Sequence, residues 1–139
     1  MSIILGYDES PGARSALAVA IDLAQKYGEQ LVIVHGTAPP STLGEEQRSH
    51  ADALAQLGRA ALGRGLEAAR AAGVDAVVAE VPAKPVDALL EQAEARDATV
   101  IVVGTWGESP IRGAILGATP HKLLHLSRWP VLCVPAPAA

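Results

Sequence analysis

The chain is poor in the residues that mark several functional classes. It has no phenylalanine, 3% aromatic residues in all and a single cysteine, Cys133, in 139 residues. One cysteine excludes an internal disulfide framework and fits a reducing compartment. Lysine is scarce too (Lys26, Lys84 and Lys122), the arginines are scattered, and the net charge is −4. An acidic chain without a basic cluster is not built to hold nucleic acid. No apolar run approaches the roughly 18 residues needed to cross a bilayer. The start, Met1-Ser2-Ile3-Ile4-Leu5, has no basic region and too short an apolar stretch for a signal peptide, so a cytoplasmic protein with no membrane partner is expected.

Motif absences narrow the chemistry further. No G-x-x-x-x-G-K-[ST] occurs, which excludes a P-loop NTPase. The first turn, Gly6-Tyr7-Asp8-Glu9-Ser10-Pro11-Gly12, lacks the G-x-G-x-x-G of dinucleotide folds. C-x-x-C, H-E-x-x-H and G-x-S-x-G are missing, and of the four histidines only His121 and His125 are four apart, without a third ligand nearby. No tightly bound metal and no catalytic residues are expected.

What is present is an alternating pattern. Five apolar runs, Ile3–Tyr7, Leu31–His35, Ala76–Val81, Val100–Val103 and Val131–Val134, read as strands buried on both faces. Helical spacing fills the gaps. The first helix takes Ser10 as N-cap and Pro11 at its first position, turns Leu17, Ala20, Ile21, Ala24 and Tyr27 inward, and stops at Gly28. The second, from about Glu45 to Ala72, turns Leu54, Leu57, Ala61, Leu62, Leu66 and Ala69 inward. The third opens at Pro85 and buries Val86, Leu89, Leu90 and Ala93. The fourth has Thr119 as cap and Pro120 at the first helical position, and buries Leu123, Leu124 and Leu126. The order β-α-β-α-β-α-β-α-β predicts one domain over 1–139, an α/β fold with a doubly wound, five-stranded parallel sheet and helices on both faces. In such a sheet ligands sit beyond the carboxyl ends of the strands, where strand order reverses.

The fourth strand empties into Gly104-Thr105-Trp106-Gly107, and Gly117-Ala118-Thr119 follows just before the fourth helix. A strand that ends in glycines and then a helix N-terminus is suited to phosphate, because the backbone approaches an anion closely and the first amides point at it. This G-x2-G-x9-G pattern, the opening Ile3-Ile4-Leu5-Gly6-Tyr7-Asp8-Glu9-Ser10, the strand Val32-Ile33-Val34-His35 and the closing Arg128-Trp129-Pro130-Val131-Leu132-Cys133-Val134 together resemble the universal stress protein family over almost the whole chain. That resemblance implies a Rossmann-like fold, a stress-response role, an adenine nucleotide ligand (ATP, with or without Mg) and homodimerisation through the edge strand Val131–Val134. It places Asp8 at the ribose, the backbone around Gly36 at the adenine edge, and Gly104, Gly107 and Gly117 around the phosphates. Gly6, Tyr7, Val103, Trp106, Ala118 and Thr119 complete the implied site. Two residues depart from the family pattern: Ala118 stands where a Ser or Thr is usual, and Glu108 where a base is common. They leave open a second reading, a dimeric adaptor of the same fold that has lost its nucleotide. A third reading, an adenine nucleotide α-hydrolase, lacks its Ser-Gly-Gly-x-Asp-Ser loop.

Overall fold

A computed structural model of the chain describes residues 1–8, 10–37, 45–105 and 117–137, with residues 45–55 described by backbone alone. Strands β1 (Ser2–Gly6), β2 (Gln30–Gly36), β3 (Ala76–Val81), β4 (Ala98–Gly104) and β5 (Val131–Val134) alternate with helices α1 (Pro11–Tyr27), α2 (Glu45–Ala71), α3 (Pro85–Ala95) and α4 (Ala118–Leu126). The strands form one parallel sheet in the order β3-β2-β1-β4-β5. This is the doubly wound fold that the alternation predicts.

The run of β-branched residues explains why the sheet is covered twice. Ile3 and Leu5 of β1, Leu31 and Ile33 of β2 and Val102 of β4 join Ala16, Leu17 and Ala20 of α1 and Leu62 and Ala69 of α2 in one core. Their sequence neighbours Ile4, Val32, Val34, Ile101 and Val103 point the other way, to Val86 and Leu89 of α3 and Leu123 of α4. Successive strand side chains face opposite sides, so both sets must be apolar. The chain walks from β1 to β3 with α1 and α2 on one face. It returns to β4 and β5 with α3 and α4 on the other, as a constant crossover hand requires.

Local chemistry sets the helix ends. Ser10 is extended (φ −61°, ψ 160°), its Oγ accepts the Ala13 amide at 3.1 Å, Pro11 follows, and Gly28 closes α1 in the left-handed region at φ 64°. That matches expectation. α4 does not. Gly117, at φ −67° and ψ 172°, is its N-cap, so Ala118 and Thr119 lie inside the first turn, and Pro120 is the third helical residue instead of the first. Thr119 is therefore not the cap.

Four of the expected inward side chains face solvent. Tyr27 is 61% exposed, Leu57 65%, Leu124 51% and Leu126 64%. Tyr27 and Leu126 fall on the last residues of α1 and α4, and α4 has only Pro120 and Leu123 buried. Ile21, Leu66 and Leu90 are half-buried, and the Leu54 side chain lies outside the described residues.

Candidate nucleotide site

Strand order reverses between β1 and β4: β1 leads on to β2 on one side and β4 to β5 on the other. At the carboxyl ends of these strands lies a cavity of about 300 Å³. That is at the lower end of the about 300–1,000 Å³ usual for small-molecule sites.

Most of the residues singled out from sequence meet there. Gly6, Tyr7 and Asp8 enter from the end of β1, Gly36 from β2, Val103 and Gly104 from β4, and Gly117, Ala118 and Thr119 from the start of α4. Trp106 and Gly107, like Glu108 and Arg112, lie outside the described residues. The lining also includes Ser10 and Ala13 of the first turn, Val34 and His35 of β2, Pro85 and Leu89 of α3, and Pro120. Leu89 and Pro85 belong to a helix two strands away in sequence order. Only the return of α3 across β2 and β1 brings them in, and a local pattern carries no trace of that.

Glycines permit the close approaches that shape the cavity. A Cβ on Gly104 would stand 2.7 Å from the carbonyl carbon of Gly12 and 2.9 Å from its oxygen, so the end of β4 abuts the first turn of α1 backbone to backbone. A Cβ on Gly36 would stand 2.6 Å from the Ala83 oxygen and 2.9 Å from the Pro85 nitrogen. The β2 end is thereby pressed against the start of α3, and the Thr37 amide bonds the Val81 oxygen at 2.8 Å.

The polar groups divide into spent and unspent. One Asp8 carboxylate oxygen accepts the Ser10 amide at 3.0 Å, so Asp8 organises the turn that starts α1 while lining the cavity mouth. The ring of Tyr7, 6% exposed, is packed over Gly65 of α2 and belongs to the core, while Tyr7 also contributes to the cavity lining. The His35 ring lies over Gly58 of α2 in the same manner. At α4, among the described residues, no acceptor is paired with the Ala118 or Thr119 amide. Gly117 bonds the Thr105 oxygen through its own N–H at 2.7 Å but has no side chain to cap the helix. Pro120 has no N–H. The amides of Ala118 and Thr119 are therefore the groups that the N-terminus of α4 turns toward the cavity, with no acidic side chain in that turn. Backed by the helix dipole, two such amides attract an anion. Among the described lining residues no lysine or arginine is found, and Asp8 is the carboxylate. Among the described residues no three His, Cys, Asp or Glu side chains come together as a metal site.

Residues 1–135 match the family model described as "Universal stress protein family". The chain belongs to the universal stress protein family. It is 36% identical over 137 residues to a Thermus aquaticus protein named "Universal stress protein in QAH/OAS sulfhydrylase 3'region", covering 96% of this chain and 97% of that one. Among solved structures, one described as a universal stress protein in complex with cAMP is 29% identical at a TM-score of 0.77, covering 99% of this chain and 98% of the other. The universal stress protein of Archaeoglobus fulgidus in complex with dAMP has a TM-score of 0.72 at 22% identity, covering 96% and 98%, a likeness of fold. The doubly wound, Rossmann-like architecture expected from sequence is thus the architecture of the family.

Proposed function

We propose that this universal stress protein holds an adenine nucleotide, ATP or a related form, as a regulatory ligand in the cytoplasm, and that hydrolysis is not its main task. The observation that carries the reading is the pairing of an apolar cavity with an uncapped helix N-terminus at the point where strand order reverses. Val34, Pro85 and Leu89 offer the base an apolar wall, the Gly36 backbone stands at its edge, and Asp8 is at hand for the ribose hydroxyls. Gly104, Gly117 and the Ala118 and Thr119 amides take the phosphate. The cAMP named for the structure 29% identical to this chain supports the ligand class. Magnesium, if it accompanies ATP, would be held chiefly by phosphate oxygens and water, as Mg²⁺ is in many nucleotide sites.

The test is thermal unfolding with and without nucleotide. A ligand at a hundred times its dissociation constant adds about 2.7 kcal/mol. Protection by adenine nucleotides, together with adenine nucleotide released on denaturing freshly purified protein, supports the reading. No protection by millimolar ATP, ADP or AMP rejects it.

Ala118 favours a second reading. It provides no hydroxyl where the α4 amides meet the cavity, a loss of about 1–3 kcal/mol if that bond is charge-assisted. On that reading the protein is a ligand-free dimer or adaptor. Both readings share an isologous homodimer through β5. This short strand is a sheet edge, and Leu132 is 39% exposed on it.

A further inference from the structure

α4 is weakly anchored for an element that forms one wall of the cavity. It has nine residues, fewer than the roughly 12–15 an isolated helix needs, and buries Pro120 and Leu123. On its exposed side His121 and His125 sit one turn apart, with ring centroids 4.8 Å apart and ring planes at 70°. Residues four apart on a helix share a face, so the two imidazoles project together into solvent.

The centroid separation is one that two imidazoles sharing an ion can have. If each ring nitrogen lies about 2.0–2.1 Å from a shared ion and the two bonds subtend about 90–109°, the centroids are roughly 4.5–5.2 Å apart. The observed separation falls inside this window without any movement of the backbone. Imidazole nitrogen suits Cu²⁺, Ni²⁺ and Zn²⁺, not the hard cations Mg²⁺ and Ca²⁺. Among the described residues no further His, Cys, Asp or Glu completes the set, so the remaining coordination positions fall to water.

We propose that His121 and His125 chelate one divalent transition-metal ion of this class, and that the ion staples α4 across a full turn. Two ligands one turn apart reach the same ion only when the intervening backbone is helical. Metal binding is therefore linked to helix formation and stabilises α4 by mass action. His121 and His125 lie on the exposed side of α4 and are not among the residues that line the nucleotide cavity.

The experiment uses the full chain and Zn²⁺ alone. Calorimetry at pH 7.5 is expected to show saturable binding of one ion per chain, and hydrogen exchange of the amides in residues 122–127 is expected to slow when Zn²⁺ is added. Both effects should vanish in His121→Ala and in His125→Ala and persist in His50→Ala. Both histidines are exposed, so the variants keep the fold, which circular dichroism checks. No saturable heat from the wild type, heat retained in both single variants, or binding that leaves α4 exchange unchanged would each overturn the proposal.

Discussion

Replacing Gly104 by alanine tests whether the cavity owes its shape to backbone contact. The new methyl carbon would stand 2.7 Å from the Gly12 carbonyl carbon, 2.9 Å from the Gly12 oxygen and 3.0 Å from the Ala13 nitrogen. All three are main-chain atoms in the first turn of α1, so no side-chain rotation relieves the clash. The end of β4 or the start of α1 must move by several tenths of an ångström. Overpacking of this kind costs about 1–3 kcal/mol. For a domain of this size, each 1 kcal/mol lowers Tm by about 3–5 °C. The companion variant Gly63→Ala makes the same chemical change in the exposed part of α2, where nothing lies within 4 Å. Its φ is not in the left-handed region, so a gain of about 0.4–1 kcal/mol is expected. Urea unfolding with linear extrapolation resolves both shifts, provided the slope is unchanged. Opposite signs for the two variants support the account. A Gly104→Ala protein as stable as the parent would refute the close approach.

Further outcomes follow from the structure. Ser10→Ala removes the 3.1 Å acceptor of the Ala13 amide in a site 4% exposed, and should cost about 1 kcal/mol in chemical denaturation. On the proposed β5 homodimer, Leu132→Lys places charge on the exposed side of the edge strand and should yield monomers in sedimentation velocity, whereas Val134 belongs to the core; a Leu132→Lys protein that remains dimeric would refute that interface. Burial pushes the Cys133 thiol up from its ordinary value, so the folded protein should react with iodoacetamide at pH 8 more slowly than its urea-unfolded form does. The same shift means stability is undiminished below the ordinary thiol range, about 8.5, and falls as pH rises through and beyond it, where only the unfolded thiol ionises.

The strands were legible because burial on both faces leaves an unbroken Val/Ile/Leu run, and Ser10, Pro11 and Gly28 spell out the ends of α1. Helix-linked alternation predicted a parallel, doubly wound sheet with its ligand site at the carboxyl ends of the strands, and Gly6, Asp8, Gly36, Gly104 and Gly117 line one cavity there; that β4 lies beside β1 is read from the structure and not from the sequence. Periodicity fails where a helix outruns what it packs against. Tyr27 and Leu126 keep helical register but occupy last turns that meet solvent. Leu57 keeps it too, 65% exposed on α2, the longest of the helices. At α4 the threonine and proline looked like a cap and a first position, yet extended Gly117 took the cap role and moved the start two residues back. That displacement puts Ala118 and Thr119 in the first turn of α4, with their amides beside the cavity. The roles of Leu89 and Pro85 arise from a long-range crossing, and Tyr7 was drawn to the core by the notch that Gly65 leaves in α2.

The central claim is that main-chain amides at the start of α4 grip an adenine nucleotide without help from a lysine. Titration of ¹⁵N-labelled protein with AMP and with ATP, followed through amide chemical shifts, tests it most directly. Saturable shifts of the Ala118 and Thr119 signals, accompanied by Gly36, are the predicted result. Signals at these residues that stay still up to millimolar nucleotide, or shifts confined to another surface, would contradict it.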